Sequence, residues 1–317
     1  MPSDVEKMAI LYEVVWPDVD YDKLTKADFV ITHSNGINYC AEYKDEIVGS
    51  RTSIFENMYI GNRCLNCVQC GDSCVHPSFQ GKGIFQRMNK AFLKGFFEEQ
   101  PGQIVYNISV EASRRSYEKL GWQYIESMMK LRCFPFPLRT IKKIGLRLKE
   151  FRRPIFWNRT NNIFSIDERL LAIRENHLIK DNLLHIRYDR ETFEWRVKSN
   201  SGIKSFFDSK YGYILYKEGT RGVLKEIEIG EVFLYEYSKR AFRNIIKLFN
   251  KTMKPDIVWV MVSEGHPLRK WYSSLFFLPN PKQKYLHHGV KIMTQEMEKI
   301  CYNPQNWAIS SLDIDTF

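Results

Sequence analysis

No window of eighteen uncharged apolar residues occurs in the chain, which excludes a helix of the kind that spans a bilayer. The first residues, MPSDVEKMAILYEVVWPD, carry acids ahead of the apolar run and no A-x-A cleavage site. A secretory leader is therefore not expected, and a cytoplasmic location is. Cysteine is sparse. There are seven, an odd number, and without an export signal they point to a reducing compartment and free thiols. No RNP, helix-turn-helix or paired zinc spacing appears, so no specific nucleic-acid partner is expected.

What is present suits a globular protein with a proper core. The 317 residues allow two domains or one large one, with 44% hydrophobic and 26% charged residues. The formal net charge of +10 favours anionic partners. A phosphorylated cofactor, nucleic acid or a membrane face would each fit, and charge alone does not choose.

One stretch offers two readings. In CLNCVQCGDSCVHPSFQGKGIF, residues 64–85, the spacing of Cys64, Cys67, Cys70 and Cys74 is C-x2-C-x2-C-x3-C, that of a ferredoxin-type cluster run. The same segment leads into QGKG, a glycine-rich turn of the sort that cradles a phosphate. A cluster needs a loop that turns four thiolates onto one centre. The phosphate-loop reading takes residues 64–75 as an extended strand that enters the turn. In a strand, side chains alternate, so Cys64, Cys70 and Cys74 would share one face and Cys67 the other. There is no second cysteine cluster, and Val75 stands where the ferredoxin pattern has proline. The strand reading is preferred, with the cysteines as small hydrophobes and no metal.

The periodicities support that choice. Helices are expected at Asp4–Val15, Gly83–Phe97 and Ser113–Leu120, with a polar helix or turn around Tyr21–Phe29. Strands are expected at Ile37–Tyr43, Ile47–Phe55, Arg63–Val75, Gln103–Ile108 and Trp122–Met129. The order α-α-β-β-β-α-β-α-β is an α/β layout with helices on a mixed sheet. Lys130–Arg159 then carries ten cations against one acid, Glu150. Leu138, Ile141, Ile144, Leu148 and Phe151 form one helical stripe there. Such a helix, over 138–153, can make weak contact with an anionic membrane, or can simply dock on its own domain, which is the preferred reading.

The second half carries a hidden repeat of the first. VYNISVEASRRSYEKLGW (Val105–Trp122) lies over VMVSEGHPLRKWYSSLFF (Val260–Phe277), with Tyr117 on Tyr272. At the same offset, YEYSK stands opposite QGKG, so the copy lacks the glycines. The expected division is a catalytic domain at 1–130, a basic linker at 131–162 and a degenerate acceptor-side copy at 163–317.

Phosphate binding needs bare amides aimed at one point. Gly81 and Gly83 remove side chains and tolerate positive φ, Lys82 adds a charge, and the helix from Gly83 adds its N-terminal dipole. VHPSFQGKGIF, residues 75–85, resembles the acyl-CoA loop of the GCN5-related N-acetyltransferases, whose pattern is Gln/Arg-x-x-Gly-x-Gly/Ala. Gln80, Gly83 and Phe85 occupy its three fixed places, and Phe85 departs from the small residue usual there. SRRSYEKLGWQYIE, residues 113–126, is similar to the family's second motif through Tyr117, Gly121 and Trp122. The clear resemblance covers about residues 37–129, and the second half resembles a degenerate copy, as in the tandem members of this superfamily.

The resemblance implies a GNAT-like fold in two tandem copies and transfer of an acetyl group from acetyl-CoA to a primary amine, such as that of an amino sugar. It implies that Cys74, Val75 and the Gln80–Phe85 loop hold the acyl-CoA, with an amide near Cys74–Val75 polarising the thioester carbonyl. It implies Tyr117 as the general acid. Asp72 is the first candidate for the base; His76, Glu111, Asp313, Asp315 and the Phe317 carboxylate are further ones. The acceptor could instead be a protein amine, or the chain could be a non-catalytic acyl-CoA-binding regulator.

Overall fold

The computed structural model describes residues 2–17, 22–28, 30–31, 36–99, 104–109, 111–145, 151, 153–163, 165–198, 202–280, 285–292 and 294–314. They divide into two units. The first comprises residues 1–58, 64–126 and 286–303, and the second residues 59–63, 127–285 and 304–317.

The first unit starts with α1 (Pro2–Val15) and α2 (Lys23–Asp28). Strands β1 (Tyr39–Tyr43), β2 (Glu46–Ile60) and β3 (Arg63–Val75) follow. Then come α3 (Ile84–Glu99), β4 (Ile104–Ser109), α4 (Glu111–Glu118) and β5 (Gln123–Ile125). The turn at KDE is tight because Lys44 and Asp45 both adopt positive φ. Helix α3 repeats apolar residues at Ile84, Met88, Phe92 and Phe96, all buried, so one stripe faces the sheet. Phe92 and Phe96 join Val68, Cys70, Val105, Tyr117 and Trp122 in one core.

The second unit contains β6 (Met128–Cys133), α5 (Pro137–Ile144), β7 (Phe156–Trp157), α6 (Glu168–Lys180), β8 (Leu184–Ile186) and α7 (Arg190–Lys198). It continues with β9 (Ile203–Asp208), β10 (Gly212–Arg221), β11 (Leu224–Leu234), α8 (Lys239–Met253), β12 (Ile257–Ser263), α9 (Arg269–Ser273) and β13 (Leu278–Pro279). The chain then returns to the first unit for β14 (His287–Ile292) and α10 (Gln295–Cys301).

Each sheet is mixed. The first runs β1-β2-β3-β4-β14-β5 and the second β13-β6-β12-β11-β10-β7, with β9 also beside β10. β3 and β4 are parallel, as are their counterparts β11 and β12. β14 pairs antiparallel with β4, and β6 does the same with β12. Each sheet thus takes the strand next to its parallel pair from the other half of the sequence. This corrects two expectations. Trp122–Met129 is not one strand: β5 ends in the first sheet and β6 begins in the second. The boundaries at 130 and 163 also give way, to a switch after Glu126 and a return at Leu286. The alternation of residues 122–129 is continuous, and nothing local marks a change of pairing partner.

The repeat extends to backbone detail. Leu120 N donates to Tyr117 O at 2.8 Å, and Leu275 N to Tyr272 O at 2.9 Å. Tyr117 packs on Trp122 at 4.8 Å and Tyr272 on Phe277 at 5.0 Å, both five residues apart. The residue before each second ring, Gly121 or Phe276, has positive φ.

The basic stretch divides. On α5, Ile144 is buried with Leu224, Ile257 and Trp259, and Phe151 packs against them. Lys143 Nζ lies 2.6 Å and Arg139 Nη2 3.1 Å from the carboxylate of Asp256. This part docks on its own unit. Leu138 and Ile141 of the expected stripe are exposed instead, and Leu148 falls outside the described residues.

Candidate functional site

The site begins where two parallel strands part. β3 and β4 pair only at Cys67–Gln69 against Ile104–Tyr106. Beyond that, β3 continues to Val75 and β4 to Ser109. Between Cys70 and Val75 the backbone is kinked at Asp72, whose φ is +41°. A non-glycine residue in that region marks an irregularity in the strand. The kink resets the alternation. Cys70 packs with α3 and Tyr117, Cys74 packs against Val5, Met8 and Leu11 of α1, and Val75 faces α3 again beside Ile84 and Met88. The expectation that Cys70 and Cys74 share a face therefore fails.

After Val75 the chain tightens. His76 N donates to Val48 O at 2.9 Å, and Pro77–Phe79 form one 3-10 turn. Gln80 Nε2 reaches back to Val75 O at 3.1 Å, tying the loop to the strand end. Gly81 and Gly83 follow, with φ of +74° and +72°, and a Cβ on either would meet nothing within 4 Å. Conformation, not crowding, requires glycine here. The open space beside both glycines lies over exposed backbone. Arg87 N donates to Gly83 O at 3.0 Å, so Gly83 caps α3. Having no side chain, it leaves the first amides of the helix to be met from outside. Lys82 Nζ sits 4.8 Å over the Phe79 ring. These features fit a diphosphate: bare amides, a helix N-terminus and a cation.

Tyr117 is buried, with the edge of Phe85 at 5.2 Å and Trp122 at 4.8 Å. Phe85, the residue that departs from the family pattern, thus turns its ring into the core. Burial pushes the Tyr117 phenol upward. The charge of Arg51 works against this, helped by the side chains of Ser73 and Asn107. Arg51 is the functional candidate that the sequence reading missed. It is fully buried on β2. Its Nε donates to Asn89 Oδ1 at 2.7 Å and its Nη1 to Thr52 O at 2.5 Å and Ser73 Oγ at 3.4 Å. The guanidinium lies 4.6 Å over Phe92. Asn89 in turn donates to Phe85 O at 2.9 Å. A permanent cation is thereby tied to the strand, the helix and the tyrosine environment at once. Its one signal in the sequence was an arginine in the middle of the expected strand Ile47–Phe55, which carries no other charge.

The carboxylates are less concentrated. Asp72 pairs with Lys26 of α2 at 2.8 Å. His76 Nδ1 accepts from Ser78 N at 3.2 Å and so caps the turn. Glu111 is mostly exposed and lies 3.0 Å from His287. Asp313 is buried in the second unit, and Asp315 and Phe317 lie outside the described residues. The four thiols do not converge: Cys64 is exposed, and Cys70 and Cys74 sit in separate cores. Among the described residues no group of three His, Cys, Asp or Glu side chains is placed to hold a metal.

Residues 1–125 match a family model described as an acetyltransferase (GNAT) domain. Residues 1–125 are thus similar to a GNAT domain, a family that carries out acyl transfer. No curated protein matches the chain in sequence. Solved structures match it in fold. A GCN5-related N-acetyltransferase from Anabaena variabilis aligns with TM-score 0.62 at 11% identity, covering 91% of this chain and 70% of that one. One from Kribbella flavida gives 0.61 at 9%, covering 92% and 70%. Eis1 from Mycobacterium abscessus gives 0.52 at 10%, covering 92% and 71%. Coverage above nine-tenths takes in both units, so the likeness in fold extends beyond the residues that the family model matches.

Proposed function

We propose that the GNAT unit is an acyl-CoA-dependent N-acyltransferase that acetylates a primary amine of a small molecule, such as an amino sugar. One observation carries the reading. Two parallel strands part beside a loop whose glycines both hold positive φ and open onto the N-terminus of α3. Gln80 braces that loop, and Cys74, Val75 and the amides of residues 81–85 are the groups that would hold the diphosphate and its arm. Acetyl-CoA supplies the activated acyl carbon as a thioester. The amine nitrogen bonds to that carbon as the carbon–sulfur bond breaks, and the sulfur leaves with the electron pair. Tyr117 gives its phenolic proton to the sulfur. Burial raises its pKa and the charge of Arg51 offsets part of that rise, so the phenol stays protonated at neutral pH without being held as tightly as burial alone would hold it. Asp72 takes the proton lost by the amine, for which its pairing with Lys26 must open.

The test is thiol release with acetyl-CoA across a panel of amino sugars, other small amines and a lysine peptide. Tyr117→Phe should lower kcat about 10²- to 10⁴-fold while leaving acetyl-CoA binding intact. An unchanged kcat would remove Tyr117 as the acid. Asp72→Asn should lower kcat about 10²- to 10⁴-fold while leaving acetyl-CoA binding intact; an unchanged kcat assigns the base elsewhere. Failure of the wild type to bind CoA by calorimetry would overturn the whole reading.

A further inference from the structure

The second unit repeats the parted strands of the first, but there the gap is filled. β11 and β12 pair in parallel at Glu226–Ile229 against Ile257–Val260 and then separate. On the other edge of β12, β6 pairs with residues 258–263 throughout. The edge left open at residues 261–263 is taken by residues 307–313 of the same unit. Met261 N donates to Ser311 Oγ at 2.9 Å and Ser263 N to Ile309 O at 2.8 Å. Ile309 N donates to Ser263 Oγ at 2.8 Å, and Val262 and Ser310 form an antiparallel bridge. On the β11 side, Ser311 Oγ lies 3.4 Å from Glu228 Oε1. Trp307, Ala308, Ile309, Ser311, Leu312 and Asp313 are fully buried.

The filling segment is locked by charge. Asp313 Oδ2 accepts from Ser310 N at 2.8 Å and Ser310 Oγ at 3.0 Å, and Oδ1 accepts from Tyr188 Oη at 2.5 Å. Arg174 Nη2 stands 3.9 Å from Asp313, while its Nε lies 3.1 Å from Glu231 on β11. The loop opposite QGKG has changed to match. Ser238 Oγ accepts from Ala241 N at 3.2 Å, so a side chain caps α8 where Gly83 leaves α3 open.

We infer that residues 307–313 are a built-in occupant of the second unit's cofactor cleft, and that each chain therefore takes one acyl-CoA and not two. The second half is a GNAT unit whose cleft is closed from within. The occupancy stands on the bonds above. Its equivalence to an acyl-CoA site rests on the function proposed for the first unit.

Two measurements on the full chain test this. Calorimetry with CoA should give one site, and Gly83→Val should remove all binding. Two sites, or residual binding in Gly83→Val, would overturn the inference. Amide exchange read by mass spectrometry should show residues 261–263 and 309–311 at least a hundredfold slower than an unstructured peptide, with or without saturating CoA, while residues 74–85 slow only when CoA is added. Fast exchange at 261–263, or a change there on adding CoA, would also overturn it. If CoA does not bind at all, the proposed function fails and slow exchange at 261–263 still upholds the internal occupant.

Discussion

Tyr117 cannot be separated from Arg51. A phenol in an apolar core holds its proton too tightly to be a ready acid, and a cation nearby relieves part of that cost. Arg51 is the permanent cation of that environment, held by Asn89, Thr52 and Ser73. We expect Arg51→Met to lower kcat and to move the alkaline limb of the pH–rate profile upward. The sign follows from the charge: without it the phenol pKa rises further. A residue of purely structural importance would lower activity with no such displacement. Tyr117 was legible because it sits in a local motif with Gly121 and Trp122. Arg51 was not, because its meaning lies in contacts with residues 22 and 38 positions away.

Among the elements, the paired turns after α4 and α9 show what the repeat lost. Both place a residue in the left-handed region before the packing aromatic. Gly121 does so freely, whereas Phe276 does so with φ of +62° and its side chain 80% exposed. A side chain with a Cβ costs about 1–2 kcal/mol in that conformation. Glycine loses about 0.4–1 kcal/mol of that gain through the freer unfolded chain. Phe276→Gly should therefore stabilise the second unit by up to about 1.6 kcal/mol. Urea unfolding read by residue-resolved exchange in residues 257–279 checks it; a destabilised variant would show that the Phe276 ring contributes packing its exposure does not suggest. The repeat was readable from sequence because offsets of strand, helix and tyrosine survive divergence. The kink at Asp72 was not, since an aspartate in a strand carries no mark of positive φ.

For the molecule as a whole, buried charges set its response to acid. His288, wholly inside the first unit, has its pKa lowered to about 3 by burial. An unfolded histidine titrates near 6.5, so the unfolded chain binds a proton that the native one refuses. The His288 contribution to stability is complete above about pH 6.5 and is lost as pH falls toward 3, at about 1.4 kcal/mol per pH unit. Urea unfolding at pH 7 and pH 5.5 should show this slope in wild type and a shallower one in His288→Gln; equal slopes would contradict it. Glu231 acts in a lower window. Burial raises its pKa, but Arg174, His266 and the Val232 amide outweigh that and bring it to about 2. Its stabilisation holds above about pH 4.3 and fades toward pH 2.

Local pattern was enough for much of this protein. The QGKG turn, the stripe of α3, the tyrosine motif and its echo at Tyr272 all lie within short windows, where side-chain period and glycine chemistry act directly. Folding in three dimensions settled the rest. Which sheet β6 and β14 complete, that Arg51 stands behind Tyr117, and that residues 307–313 close the second cleft all depend on pairing between distant segments. Such pairing is chosen by burial and unsatisfied backbone groups, and these exist only once the chain has collapsed around them.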